Sequence, residues 1–258
     1  MVALGDSPLT VWVGHDPREQ AAYDVAVFSL LRRTTIPVVP MPISSTHCKA
    51  AGFKRPWHME DGQRIDDADG KPFSTNFSFA RFMVPFMHST SDFAVFFDCD
   101  FLWRADIADL MRSVDPRYAV SVVQHDHRPA EAVKMDNCRQ EHYGRKNWSS
   151  LVVWNLQHPA NERLSLEDVN TKPGAWLHAF SWLRDEEIGS LDPSWNWLDG
   201  GGSSVQEGIL NPKVVHHTRG APCLPGWEDV AYADEWRQEK AILDATRETR
   251  RTKYPRVA

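Results

Sequence analysis

Two aspartates at i and i+2, Asp98 and Asp100, stand directly after the all-apolar run Phe93-Ala94-Val95-Phe96-Phe97. Such a run reads as a buried strand. Residues two apart at its carboxyl end point to one side, where open α/β sheets place their ligands. Adjacent carboxylates repel, so each resists ionising unless a cation lies between or beyond them. Carboxylate oxygens favour Mg2+ or Mn2+ over softer metals, and an ion held by few protein ligands completes its shell with substrate phosphates. The plainer alternative is that both side chains merely cap the following turn; the strand in front of them favours the cation.

An Asp-x-Asp after a buried strand occurs in at least two enzyme classes. A haloacid-dehalogenase-type phosphatase uses the first Asp as nucleophile. It places the motif on its first strand, with Thr or Val two positions beyond the second Asp, where this chain has Leu102. A metal-dependent nucleotide-sugar glycosyltransferase instead places the motif after a long nucleotide-binding sheet, and that arrangement fits.

The surrounding elements must hold the pair in place. Leu9-Thr10-Val11-Trp12-Val13 reads as a buried strand ended by Gly14. Asp16-Pro17-Arg18-Glu19 then opens a helix running to about Arg33, with Asp16 as cap, Pro17 at the first helical position and Glu19 completing a capping box. Ile36 to Ile43 is extended, and Pro37, Pro40 and Pro42 assign it to an edge or an irregular position. Residues 44–75 are polar and rich in turn formers, the pattern of a long functional loop. A helix is expected over Asn76–Met87, a short one over Asp106–Arg112, and another carrying Trp176, Leu177, Phe180, Trp182 and Leu183. Further strands are expected at Tyr118–Gln124, Ser150–Leu156 and Lys213–Val215. Strands alternating with helices give an α/β fold with both sheet faces covered.

The chain has 258 residues and 29.4 kDa, with 42% hydrophobic and 25% charged residues, the balance of a globular protein with an ample core. With neither repeat nor low-complexity linker, one continuous domain over 1–258 is expected. No apolar stretch approaches the ~20 residues of a membrane-spanning helix, and MVALGDSPLT lacks the look of a secretory signal. Cys48, Cys99, Cys138 and Cys223 show no C-x-x-C spacing, so a reducing cytoplasm is expected. A net charge of -6 argues against a nucleic-acid coat. Basic residues cluster only at the end, in Arg247, Arg250, Arg251, Lys253 and Arg256. That cluster reads as a solvated helix end, or alternatively as a weak contact with an anionic membrane surface. Eleven tryptophans weakly favour a carbohydrate site.

Several blocks together resemble a GT-A glycosyltransferase, most closely family 8, the glycogenin-like and galactosyltransferase-like group. They are Thr75-Asn76-Phe77-Ser78-Phe79-Ala80-Arg81-Phe82, then Ala94 to Leu102 followed by Ala105 to Leu110. Ser149 to Leu156, Asp185-Glu186-Glu187-Ile188 with Trp195-Asn196, and Val214-Val215-His216-His217-Thr218-Arg219-Gly220 complete the series. Three features depart from the family and imply a divergent branch. The Asp-Gln pair reads Asp185-Glu186, the Gly14 to Glu19 loop has unfamiliar wording, and Ala221-Pro222-Cys223 replaces a Lys-Pro-Trp ending. The diphosphate contact of that lysine would then pass to Arg219 or Lys146.

The resemblance implies a single GT-A domain with a mixed, mainly parallel sheet: residues 1–125 bind the nucleotide sugar, 126–235 form the acceptor and catalytic half, and 236–258 a C-terminal helix and basic tail. It implies a nucleoside diphosphate sugar donor, a UDP-sugar first, contacted by Gly14, His15, Asp16, Arg18, Arg81, Cys99, Arg219 and Gly220. Asp98, Asp100 and His216 would hold Mn2+ or Mg2+, the imidazole tilting the choice to Mn2+, and the ion would stabilise the departing diphosphate. Transfer would retain configuration, with Asp185 as the leading carboxylate near the anomeric carbon and Glu186 next. Trp148, Asn155, Trp195 and Asn196 would touch sugar or acceptor. His125-Asp126-His127 could ligate a metal, although a polar loop accounts for it. The acceptor stays open between glycan, lipid-linked sugar, protein hydroxyl and modified nucleic-acid base. Its recognition is expected from residues 44–75 and from 125–147, which hold Lys134, Arg139, Arg145 and Lys146. A silent sugar- or nucleotide-binding protein is the alternative from another class.

Overall fold

The computed structural model describes residues 7–89, 91–126, 145 and 147–253. His127, Lys134, Cys138, Arg139, Lys146 and Arg256 lie outside them.

Six strands form the central sheet: β1 (Leu9–Gly14), β2 (Val38–Ile43), β6 (Phe93–Phe97), β8 (Val120–Val122), β9 (Leu151–Asn155) and β10 (Ile188–Ser190), in the order β10-β8-β9-β6-β1-β2. All run parallel except β9, which is antiparallel to both of its neighbours. The proline-rich β2 takes the edge, where missing amide donors cost least. Alternate residues of each strand serve two cores. Trp12, Ala94, Phe96 and Trp154 face the short 3-10 helix Ala80–Phe86 together with α3 (Leu166–Thr171) and α4 (Gly174–His178). Val11, Val13, Val95, Phe97 and Val153 face α1 (Gln20–Leu31) and α2 (Ile107–Ser113). Both faces are therefore covered, as a near-continuous apolar strand such as Phe93–Phe97 requires.

A second sheet, β11 (Trp197–Leu198), β12 (Val214–His216) and β7 (Phe101–Trp103), lies beyond β6. It brings chain segments more than a hundred residues apart side by side, because β7 and β12 pair antiparallel with His216 opposite Phe101. The C-terminal helix α5 (Ala233–Lys253) docks on α1 through Arg32 and Arg33 to Glu239, at 2.9 and 2.7 Å, and buries Trp236 against Val25, Leu102 and Val215.

Three expectations need correction. Residues 44–75 are not a loop throughout: β3 (Trp57–Glu60), β4 (Gln63–Asp66) and β5 (Pro72–Phe73) form a small antiparallel sheet. Its first turn is Asp61-Gly62, both at positive φ (49° and 77°), the backbone of a tight two-residue hairpin. Over 76–87 only Ala80–Phe86 is helical, in 3-10 form with Pro85 inside. The tryptophan-rich helix stops at His178, and Phe180 at φ 51° turns the chain instead. Trp103, Trp154 and Trp195 are fully buried, so most of the aromatic weight is core rather than surface.

Candidate active site

The turn between β6 and β7 carries both aspartates. Asp98 donates its N–H to Ser150 O at 3.0 Å, and Asp100 O accepts from the His217 N–H at 3.0 Å. Strand β12, paired to β7, delivers His216 beside them. One ligand atom from each of Asp98, Asp100 and His216 falls within 4.8 Å of the others. His216 Nε2 stands 3.4 Å from Asp100 Oδ1 and 3.9 Å from Asp98 Oδ2. Asp100 Oδ1 is buried and makes no hydrogen bond. Burial pushes the Asp100 carboxyl up, but the His216 and His217 imidazoles outweigh it and hold the group below its usual value. Two carboxylates and an imidazole around an orphaned buried oxygen suit a divalent cation of the Mn2+ or Mg2+ kind.

Behind this cluster lies a layer of holding groups. Arg81 pairs with Asp98 at 2.9 Å, donates to the Ser149 and Ser78 carbonyls at 2.9 and 3.1 Å, and sits over the Phe77 and Phe96 rings. Its Nε and Nη1 hold the Ser78 and Ser149 carbonyls and the Asp98 carboxylate, so it positions the first aspartate. Asp16 and Arg18 are likewise tied within the protein. Asp16 is fully buried and accepts from Arg18, Arg64 (3.0 Å) and the Asn76 N–H (3.0 Å). Burial opposes its ionisation, yet those donors hold its carboxyl far below the ordinary range. Arg18 is bound to Asp16 and to the Ser74 carbonyl. Asp16 is thus the cap expected at the opening of the helix and a tie to β4 through Arg64.

Asn196 and Trp195 are also buried. Asn196 Oδ1 bonds His216 Nδ1 at 3.0 Å, while Trp195 packs near Trp103. Asn155 ends β9 opposite Phe93, at the other end of β6 from Asp98, and binds the Pro116 carbonyl. Asp185 and Glu186 precede β10, which runs parallel to β8 and in the same direction as β6. They therefore sit at the amino end of their strand, whereas Asp98 follows the carboxyl end of β6. Asp185, its side chain 89% exposed, pairs with Arg145, and Glu186 pairs with Arg184 at 3.2 Å. The Cys99 side chain is wholly buried, and burial drives its thiol well up.

Other expected residues do gather at the carboxyl ends of the strands. His15 follows Gly14, donates its N–H to Ile43 O at 2.9 Å, and stands edge-on to Tyr23 and His47. Gly14 has a packing reason: an added Cβ would lie 2.6 Å from the Phe77 ring. Trp148 is half-buried and donates its indole N–H to His125 O at 2.8 Å. Arg219 lies over Trp227, its Nε buried without a partner, and Gly220 (φ 157°) leaves no space for a Cβ beside Trp227. Among the described residues Arg219 has no ion pair within 4 Å. His125 and Asp126 bind Ser203 and Ser204 and close the glycine-rich 199–204 loop, outside the metal cluster.

Sequence reasoning missed four residues. Glu19, expected as a capping side chain, is buried. Burial, then the Asp100, Asp16 and Asp98 carboxylates, push it up to about 8 against Arg18. The Asp199 and His217 side chains are wholly buried 3.7 Å apart, and the Thr218 hydroxyl donates to Asp199 at 3.2 Å. His178 bonds Ser149 at 2.7 Å and packs on Phe82, on the Asp98 side of the sheet. No local pattern marks any of these; their proximity arises only from the fold.

The central sheet, the β6–β7 turn and the neighbouring second sheet make this a GT-A fold. It superimposes on the WbbM bifunctional glycosyltransferase with TM-score 0.58 at 15% identity, over 93% of this chain and 51% of that one. The glycosyltransferase GlyE of Streptococcus pneumoniae TIGR4 matches with TM-score 0.56 at 14% identity, over 94% of this chain and 64% of that one. The chain thus spans about half of the first and under two thirds of the second. The galactosyltransferase LgtC, in complex with donor and acceptor sugar analogs, matches with TM-score 0.55 at 10% identity, over 91% and 96%. No family model matches the chain. It is 44% identical over 233 residues to Protein CDI of Arabidopsis thaliana, covering 90% of this chain and 86% of that protein, and so belongs to the Protein CDI family. Among the described residues, no helix is long and apolar enough to cross a membrane.

Proposed function

We propose that the chain is a metal-dependent glycosyltransferase, a divergent member of family 8. It moves a hexose from a nucleoside diphosphate sugar, a UDP-sugar first, to an acceptor with retention of configuration. One observation carries the reading: the Asp98, Asp100 and His216 ligand atoms converge within 4.8 Å at the carboxyl end of the central sheet. Those three would hold Mn2+ or Mg2+, which when bound supplies Lewis-acid stabilisation of charge on a leaving diphosphate. Arg81 keeps Asp98 in place through its ion pair. Arg219, a guanidinium without a carboxylate partner among the described residues, meets the diphosphate, the role expected when the family's lysine is replaced. His15 and His47 flank the ends of β1 and β2, where the base of the nucleotide lies. Residues 1–125 form the donor half and 126–235 the acceptor half. The protein works in the cytoplasm, and the basic end of α5 adds a weak contact to anionic surfaces.

Donor binding without transfer is the second reading, favoured by the position of Asp185 and Glu186 ahead of β10. A melting-temperature screen of nucleotide sugars with Mn2+ or with chelator tests both. A ligand at a hundred times its Kd adds about 2.7 kcal/mol to stability. The expected result is stabilisation by one donor only with metal, lost in Asp100→Asn, together with nucleoside diphosphate release on adding acceptor. Donor binding with no release supports the second reading, and metal-independent responses refute the site.

A further inference from the structure

We infer that Asn196 is a positioning residue, holding His216 in the tautomer whose bare Nε2 faces Asp98 and Asp100. The inference rests on the reading of that space as a divalent-cation site. Asn147 O is a carbonyl, which accepts and never donates. Ser150 Oγ lies 2.7 Å from it, so the single hydroxyl proton is used there. Ser150 Oγ must then accept in its 2.9 Å contact with Asn196, which makes Nδ2 the partner. With Nδ2 turned to Ser150, Oδ1 faces His216 Nδ1 at 3.0 Å. An amide oxygen only accepts, so Nδ1 carries the proton and the other ring nitrogen of the neutral imidazole is a lone pair.

The consequence falls on the metal cluster. Nε2, the ring nitrogen left over by that bond, lies 3.4 Å from Asp100 Oδ1 and 3.9 Å from Asp98 Oδ2, so it is the nitrogen that can join both carboxylates on a cation. Asn196, Ser150 and His216 are all buried, so bulk water offers none of them a substitute partner. Ser150 acts twice, since its carbonyl accepts the Asp98 N–H at 3.0 Å while its hydroxyl sets the Asn196 amide. One residue thereby ties the placement of the first ligand to the orientation of the third. This is outer-shell control, in which the partner of a ligating histidine fixes ring and tautomer.

The test uses the full chain, Mn2+ alone as probe, calorimetric affinity, and the electron spin-echo coupling of bound Mn2+ to 14N. The wild type is expected to bind Mn2+ with a directly coordinated nitrogen. Asn196→Leu, close in shape but without an acceptor, is expected to bind roughly 10–100-fold more weakly and to lose that coupling. Asn196→Asp keeps an acceptor toward Nδ1 and is expected to retain it. Ser150→Ala, which frees the amide to rotate, is expected to shrink the coupling and serves if the Asn196 variants do not fold. If Asn196→Leu matches the wild type in affinity and coupling, the inference fails while the metal site stands. Equal loss of coupling in Asn196→Leu and Asn196→Asp means a packing role and overturns it as well, as does an unchanged coupling in Ser150→Ala. A wild type that binds no Mn2+ overturns both this inference and the proposed function.

Discussion

Replacing Glu19 by glutamine should make the metal-free protein more stable, and only at neutral and alkaline pH. The Glu19 carboxyl is buried and pushed up from 4.5 to about 8, first by burial and then by Asp100, Asp16 and Asp98. A folded-state value above the unfolded one means that the native chain binds the proton more tightly. The stability this contributes is complete below pH 4.5 and disappears as pH rises through 8. Each pH unit in that window is worth about 1.4 kcal/mol, so at neutral pH the native protein has lost about 3 kcal/mol relative to acid. Glutamine has the shape of the protonated acid and nothing to ionise. Urea unfolding with chelator, from about pH 5 to about pH 8, should show Glu19→Gln matching the wild type at the acid end. Near neutrality it should exceed the wild type by about 3 kcal/mol. The variant also removes a like charge from beside Asp100, Asp16 and Asp98, so the difference reports Glu19 together with these neighbours. A gap that does not change with pH, or a variant less stable at pH 8, would falsify the placement of Glu19 as an unpartnered acid.

Three further outcomes are expected. Gly14→Ala puts a methyl 2.6 Å from the Phe77 ring and should cost about 1–3 kcal/mol by thermal unfolding; recovery in the double variant with Phe77→Leu confirms the contact. Asp16→Ala leaves Arg64 and the Asn76 N–H without their acceptor and should cost about 3 kcal/mol, the exposed Arg18 adding little. Because Asp16 is held below 3.8, its contribution is present above that value and lost as pH falls, so the variant should show a shallower acid limb in unfolding. Arg219→Ala should leave the ligand-free melting temperature in place and weaken UDP binding with Mn2+ by about tenfold or more, the worth of one charge-assisted bond; equal calorimetric affinities would remove Arg219 from the diphosphate.

What could be read along the chain was local. The run Phe93–Phe97 ends abruptly in Asp98, and a strand followed by carboxylates has one natural place in an α/β sheet. Asp16 is legible as a cap and is one, accepting from the Arg18 N–H; its bonds to Arg64 and the Asn76 N–H come from distant segments and leave no local sign. His216 comes from the resemblance of the Val214–Gly220 block, and its place beside Asp98 and Asp100 comes only from the pairing of β12 with β7 across more than a hundred residues. Trp195 and Asn196 are matched to sugar contacts by the resemblance, while their burial depends on what the second sheet packs against. Asp185 and Glu186 matched a motif without a strand direction, and direction puts them ahead of β10. The Asp61-Gly62 hairpin signal was present, yet the exposed His58 and Glu60 and the half-buried Gln63 and Arg64 beside it hid the strand alternation.

The charge pattern at this end of the sheet gives the proposed cation its place. Four carboxylates approach one another: Asp16, Glu19, Asp98 and Asp100. Asp16 is neutralised by Arg18 and Arg64, and Asp98 by Arg81. No arginine pairs with Asp100 or Glu19 among the described residues; Asp100 has the His216 imidazole near it, and Glu19 is unfavourable as an anion. A divalent ion at Asp100 would also lower the affinity of Glu19 for its proton, because a nearby cation reverses the local electrostatics. Metal binding should therefore release a proton from Glu19 as well as occupy the ligands, and the stability gap of Glu19→Gln should narrow when Mn2+ replaces chelator. A gap that stays the same at saturating Mn2+ would separate the two sites and remove the charge argument for an ion at Asp100.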